Sequence, residues 1–279
     1  MGRTPVGYIK IFAFYILCTI IALFMAMPFV WQILTAFKQP SEVISFPIRW
    51  LPSSFFIENF KLAFQHLNWA RGYLNTLIYA GVSTVGCVLF STLAGFSFAK
   101  YDFPAKEIFF LIVLATLMLP FQIQMIPLYF ITVKFGIFDT YFGLILPRLA
   151  ATFGTFLSRQ YMSSIPDDFI DSARMDGCAE IKIYLAIILP MSIPLAATIA
   201  IFEFMSNWND FLWPLIVTNS QSLQVLSVAL LGFTIPGTEQ QLYGPQMAAS
   251  LLIILPVIVV FIFMQKRVIE SITLTGLKF

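Results

Sequence analysis

The chain has 279 residues, 59% of them apolar and 11% charged, with a mean hydropathy of +0.87. That balance places it in the membrane class, at a length that allows one or two domains. The net charge is only +2, and the lysines and arginines are scattered without an aromatic-interleaved basic patch, so nothing points to nucleic acid.

Arg3 and Lys10 precede an apolar run that starts at Ile11 and continues past Val30. No small-residue cleavage site followed by a soluble domain is legible, so a retained first span is expected rather than a signal peptide. Six hydrophobic stretches, at about 11–34, 73–99, 107–128, 140–160, 187–214 and 246–265, each reach roughly 20 residues, enough to cross a bilayer as a helix. Backbone in lipid must bond internally and no alternating pattern appears, so helices are expected, not a barrel.

The loop at about 36–72 carries Pro47, Trp50 and Pro52, which suggest an ordered turn. Glu58 to Leu67 reads as a short amphipathic helix, with Phe60, Leu62, Ala63, Phe64 and Leu67 available to the membrane or a partner. On the second span Ser91, Gly95 and Ala99 recur every four residues. This ridge permits close helix packing, inside the chain or against another subunit. Gln122 and Gln124 lie near Pro120 and Pro127. They are candidates for a polar path, or they satisfy carbonyls freed by proline kinks.

Ile165 to Glu180 is a polar island between hydrophobic segments, with Asp167, Asp168, Asp171, Arg174, Asp176 and Glu180. Pro166 suits the first turn of a helix, and Asp167 and Asp168 suit its positive end. Gly177 is expected to stop that helix in a left-handed conformation, and Ala179 to Tyr184 to start a second. A helix, glycine turn and helix on the membrane surface is a stiff element, suited to pushing or being pushed by a partner.

Pro190 and Pro194 are expected to bend the start of the next span. That span holds Glu203, Asn207, Asn209 and Asp210 with Trp208 and Trp213. Intramembrane polar groups usually face a cavity or a partner helix. Asn and Asp between indole faces suit the hydroxyls and C–H face of a sugar. Alternatively Asp210 caps or locks the outer end of the span and the tryptophans sit in an interfacial belt. The segment at about 216–245, rich in Gln, Ser, Thr and Gly, either reaches a partner or is simply solvated.

One side holds Arg3, Lys10, Lys100, Lys106, Arg159, Arg174, Lys182, Lys266, Arg267 and Lys278; the other holds Lys38, Arg49, Lys61, Arg71, Lys134 and Arg148. The excess places both termini and the island in the cytoplasm. No phosphate-binding GxxxxGK[ST] occurs, nor GxSxG or HExxH, and His66 is alone, so no catalytic residue and no metal site is expected. Cys18, Cys87 and Cys178 are far apart and read as small apolar residues.

Asp171-Ser172-Ala173, Asp176-Gly177 and Ile187-Ile188-Leu189-Pro190 together resemble the loop of the permease subunits of binding-protein-dependent ABC importers. There Glu-Ala replaces Asp171-Ser172 and Ala replaces Cys178. Met27-Pro28-Phe29-Val30-Trp31, Phe37-Lys38, Asn75-Thr76-Leu77, Ala94 to Ala99 and Ile126-Pro127-Leu128-Tyr129 are similar to other positions of that family. Trp208-Asn209-Asp210-Phe211-Leu212-Trp213-Pro214-Leu215 resembles the fifth-span signature of its maltose and oligosaccharide branch, and Gly276-Leu277-Lys278 resembles part of the closing motif.

The resemblance implies an all-α membrane protein with the six-helix type I ABC importer permease fold. It implies an N-terminal tail and first span (1–36), an extracytoplasmic loop (37–70), a permease core (71–265) with a coupling loop (161–186), and a cytoplasmic tail (266–279). Asp171, Ser172, Ala173, Arg174, Asp176, Gly177, Ala179 and Glu180 would form the coupling helix that docks on a cytoplasmic ATPase. Asn207, Trp208, Asn209, Asp210, Trp213, Gln122 and Gln124 are the substrate-path candidates. The implied partners are a second permease, two ATPase domains that bind ATP and Mg, and an extracytoplasmic solute-binding protein, in a prokaryotic inner membrane. This chain would bind no cofactor. A permease for another polar solute, such as a glycerol phosphate, is the alternative within the class. Outside it stands an ion-coupled secondary transporter using Glu203 or Asp210, although no internal repeat supports one.

Overall fold

The computed structural model describes the backbone of residues 5–233 and 242–276, and side chains within 11–233 and 242–262. Arg3, Lys10, Lys266, Arg267, Leu277 and Lys278, which belong to the charge distribution or to the closing motif, lie outside the described residues or side chains. The chain forms two compact units, one from Met1–Asn68 with Leu230–Leu255, the other from Trp69–Ala229 with Pro256–Phe279.

The first unit opens with helix α1 (Pro5–Ala36), in which none of residues 11–34 is buried. Such a helix satisfies its backbone internally and leaves its side chains to lipid or to another protein. The chain turns at Phe37, Lys38 and Gln39 into the short α2 (Pro40–Val43), where Gln39 and Glu42 form a capping box. Lys38 is fully buried. Its ammonium donates to the Arg49 carbonyl at 2.6 Å and lies 3.9 Å from the Trp31 ring centroid. Burial pulls its pKa down, against the opposing pull of Glu42. Glu42 in turn accepts from the Ser53 and Gln39 amides at 3.2 Å, and the Ser53 side chain first, then these amide bonds, hold its carboxyl below the ordinary range against its burial. The ordered turn expected around Pro47 and Pro52 is thus stapled to the end of α1.

The expected amphipathic helix forms as α3 (Glu58–His66), which includes His66 at its last turn. Phe64 is exposed as expected, but Ala63 is buried, so that position packs inward rather than toward the membrane. Asn59, also buried, donates to the carbonyls of Ala36 and Lys38 at 2.9 and 2.8 Å.

The second unit is organised around α4 (Trp69–Lys100). Its buried stripe runs through Gly72, Asn75, Thr76, Tyr79, Ala80, Ser83, Cys87, Ser91, Gly95 and Phe96, the three- and four-residue spacing of one helix face. Small residues there allow α8 (Thr152–Met162) to approach closely. A Cβ on Gly95 would stand 2.1 Å from the Ser158 Cβ and 2.8 Å from the Arg159 nitrogen. The small-residue ridge therefore serves packing within this chain at Ser91 and Gly95.

Three hydrophobic stretches that read as continuous are interrupted. The one at 107–128 divides into α5 (Lys106–Leu117) and α6 (Phe121–Lys134), bent by 105°. Pro120 lacks the N–H to continue the helix and pushes Leu119 out of helical geometry. The one at 140–160 divides into α7 (Tyr141–Ile145), a 3-10 turn at Leu146–Arg148 containing Pro147, and α8. The one at 187–214 contains the π-helix Tyr184–Ile188, α11 (Leu189–Met191), α12 (Ile193–Trp208) and α13 (Leu212–Val217). The bend expected near Pro190 and Pro194 is present, at 80° between Glu180–Met191 and Ile193–Trp208. The island supplies α9 (Asp168–Met175) and α10 (Glu180–Ile183). Pro166 stands before α9 rather than in its first turn, since Asp167 is the N-cap. After α14 (Leu226–Ala229) the last helix, α15 (Tyr243–Gly276), carries Pro256 inside it. By length and composition α1, α4 and α15 can each cross a membrane, as can the two bent pairs if each is one span.

Candidate functional site

The α9–α10 loop is closed by its own backbone. Gly177 has φ +75°, its N–H donates to the Arg174 carbonyl at 2.9 Å, and the Cys178 N–H donates to the Ala173 carbonyl at 3.0 Å. These are the two bonds of a Schellman motif, with Gly177 as its left-handed residue. Side chains brace the same turn. Arg174 donates to both Glu180 oxygens, at 2.7 and 3.2 Å, and to Asp171 at 3.4 Å. The Tyr101 hydroxyl also donates to Glu180. The Arg174 bonds, then Tyr101, hold the Glu180 carboxyl below its usual range. Lys100 closes the other end, donating to the Ile165 carbonyl and to Asp167 at 2.6 Å.

Ile165, Ile170, Ala173, Ile183 and Tyr184 sit in one buried cluster with Phe96, Met162, Ile188, Leu195 and Ile199. Of the eight coupling candidates, Ala173 faces this cluster, and Arg174 and Glu180 hold the loop together. Asp171, Ser172, Asp176, Gly177 and Ala179 are exposed. Phe169 and Met175, 48% and 88% exposed, share that surface and were not among the candidates. Their signal was an amphipathic pattern in which both fall off the buried stripe.

The polar set near the end of α12 divides. Asp210 accepts from the Tyr79 hydroxyl at 2.6 Å and is ion-paired with Arg148, which also donates to the Tyr79 hydroxyl at 3.2 Å. The Arg148 guanidinium lies 4.1 Å from the Phe121 ring centroid. The locking role for Asp210 is thus what its contacts describe. Trp213 is buried and donates to the Leu144 carbonyl at 3.2 Å, and Trp208 is buried against Tyr73 and Phe204, so neither indole stands at an open face. Asn207 is buried, with an amide nitrogen that has no hydrogen-bond partner among the described residues. Asn209 is exposed and donates back to the Met205 carbonyl at 2.8 Å. Gln124 donates to the Leu119 carbonyl at 2.9 Å, satisfying a group freed at the α5–α6 break, and Gln122 is exposed. Two shallow apolar cavities, about 460 and 610 Å³, lie along α4 beside Leu146 and Leu149, and none of these seven candidates lines them.

After α13 the stretch from Asn219 to Leu226 is held by hydrogen bonds rather than simply solvated, and residues 234–241 of the same segment lie outside the described residues. Asn75 donates to the carbonyls of Ser222 and Gln224 at 2.9 and 3.0 Å and accepts from the Tyr141 hydroxyl at 2.6 Å. Thr76 accepts from the Leu226 amide at 3.0 Å. Asp139 accepts from the amides of Asn219 and Ser220 at 2.8 and 3.0 Å, and the Ser220 side chain first, then these amides, hold its carboxyl below the ordinary range.

Residues 88–273 match the family model described as the binding-protein-dependent transport system inner membrane component. The chain belongs to this family. As a member, it is a transporter permease subunit and a membrane protein of all-helical fold. It is 35% identical over 262 residues to the arabinooligosaccharides transport system permease protein AraQ of Halalkalibacterium halodurans, covering 92% of this chain and 93% of the relative. It is 28% identical over 262 residues to the sn-glycerol-3-phosphate transport system permease protein UgpE of Brucella abortus, covering 90% and 91%. A chain from the crystal structure of a bacterial ABC transporter involved in the import of the acidic polysaccharide alginate superposes with a TM-score of 0.82 at 21% identity, over 95% of this chain and 99% of that one, which shows the permease fold.

Proposed function

We propose that this permease forms, with a second permease subunit, the path for a sugar or oligosaccharide delivered by an extracytoplasmic binding protein and driven by two ATPase domains. The observation that carries the reading is the α9–α10 loop. It is closed by a Schellman turn, braced by Arg174 and Glu180, and presents Phe169, Asp171, Ser172, Met175 and Asp176 outward. Such a rigid projection transmits force, whereas a flexible solvated loop does not. The coupling surface is assigned to those exposed residues, facing an ATPase on the cytoplasmic side. The sugar class is supported by the likeness to AraQ across nearly the whole chain. Asn209 and Gln122 are the path candidates whose side chains remain exposed.

ATP and Mg act on the ATPase partners: their closure moves the loop, and the buried cluster beneath it carries that motion into the spans. The test is reconstitution of the full complex in liposomes with arabinooligosaccharide as the transported probe, beside the chain reconstituted alone. The complex is expected to couple ATP hydrolysis to uptake, and Asp176→Lys to abolish the coupling at matched expression. Ion-driven accumulation by the isolated chain would overturn the reading.

A further inference from the structure

Three of the helix breaks in the second unit share one half-buried cation, Arg148. Phe121 opens α6 directly after the 105° bend, and its ring lies 4.1 Å beneath Arg148. Arg148 itself ends the 3-10 turn between α7 and α8. Asp210, its ion-pair partner, lies between α12 and α13. Tyr79 of α4 bonds both charges. Asp210 also accepts from the Trp213 amide at 3.4 Å, and its carbonyl accepts from the Ser227 hydroxyl at 2.6 Å, so the contact reaches α13 and α14. The side chains of Arg148 and Asp210 are only 19% and 10% exposed.

A break in a helix is a joint, because backbone hydrogen bonds are missing there, and an unlocked joint absorbs displacement. Separating a poorly solvated ion pair leaves two uncompensated charges, so a pair bridging such joints resists bending. The cluster also lies far from the loop. From Tyr79 to Lys100 the axis of α4 is about 30 Å long, roughly the hydrocarbon thickness of a bilayer. At the far end of α4, Lys100 and Tyr101 grip the α9–α10 loop.

We propose that Arg148, Asp210 and Tyr79 are positioning residues for transport. They lock the three broken spans into one block at the end of α4 remote from the coupling loop. A displacement delivered at the loop then turns the block instead of being lost at the breaks. This rests on the coupling role assigned to the loop above.

The test uses the full complex, with the native cysteines replaced and spin labels in pairs at Ile123, Phe142 and Leu215, exposed positions on α6, α7 and α13. Distances are measured without nucleotide and after trapping with ATP, Mg and vanadate, and ATPase activity with the binding protein present is read alongside. In the wild type the three distances should be the same in both states. In Asp210→Asn they should shift on trapping, and stimulation of ATP hydrolysis by the binding protein should fall about tenfold, the scale of a typical coupling between sites. Tyr79→Phe, which keeps both charges, should shift them less and guards against a variant that fails to assemble. The exchange Arg148→Asp with Asp210→Arg should restore constant distances. Wild-type distances that change on trapping would overturn the proposal, as would constant distances with full stimulation in Asp210→Asn and Tyr79→Phe. If the wild type itself shows no stimulation, the coupling role of the loop falls first, a distinguishable result.

Discussion

At Gly177 the constraint is conformational, not steric. Its φ is +75°, and a Cβ placed there would meet nothing within 4 Å. A substitution should therefore follow the cost of the left-handed backbone alone. Asn, which visits that region readily, should be close to neutral. Ala should cost about 1 kcal/mol and Val about 1–3 kcal/mol, all felt locally in the loop. The measurement is coupled transport by matched complexes carrying each variant. Equal activity across Asn, Ala and Val would mean that the Schellman turn is not needed. Glu180 makes a pH prediction. Its carboxyl is held below the usual range by Arg174 and then Tyr101, so the brace contributes stability above the unfolded carboxylate pKa of about 4.3 and loses it as pH falls through the lower folded value. Amide exchange in α9 and α10 should be flat from neutral pH down to about 5 after correction for the intrinsic rate, then rise. Glu180→Gln should show the raised exchange already at pH 7.

At the scale of elements, α4 connects most of what has been described. Its small residues admit α8, its Thr92 hydroxyl meets the Tyr184 hydroxyl at 2.7 Å at the head of the π-helix, and its end grips the loop. The π-helix itself sits between the coupling loop and α12, where such irregularities often mark functional sites. Gly95→Val tests the α4–α8 contact. The added carbons would press on the Ser158 Cβ and on the Arg159 backbone, which cannot turn aside. Overpacking of this kind costs about 1–3 kcal/mol. The variant should insert in the membrane but show a lower thermal midpoint in detergent, while Gly81→Ala, at a site with nothing within 4 Å, should leave it unchanged. Equal midpoints for the two would contradict the packing described.

For the whole molecule, the exposed surface is the informative quantity. Every residue from 11 to 34 of α1 is unburied, and Ile44, Phe46, Ile48, Trp50, Leu51 and Phe55 are exposed beyond it. Surfaces of that composition need lipid or other subunits around them. The distribution of Lys and Arg gives the orientation prediction. In a background lacking the native cysteines, a cysteine at Asp168 should react only with reagent reaching the cytoplasm, and one at Ser53 only from outside. Labelling of the Asp168 position in sealed cells would invert the topology and remove the loop from its ATPase.

The sequence by itself determined what local chemistry decides. Gly177 ends a helix because a left-handed residue is cheap there, Glu58 to His66 shows its amphipathic period, and Pro120, Pro190 and Pro194 announce bends by removing amide donors. It also carried the membrane class and the family motifs. Only the tertiary structure decided which polar residues brace the fold. Arg148 read as a basic residue near an outer loop and Tyr79 carried no signal, yet they meet Asp210 from 62 and 131 residues away. Asn75 likewise finds its carbonyls 147 and 149 residues on. Propensity and capping act over a few residues, whereas the partner of a buried polar group is whatever packing brings beside it. The same separation divided the fifth-span motif. Its residue types indicated a polar site, and only the packed helices showed Asp210 and Trp213 engaged within the chain and Asn209 exposed.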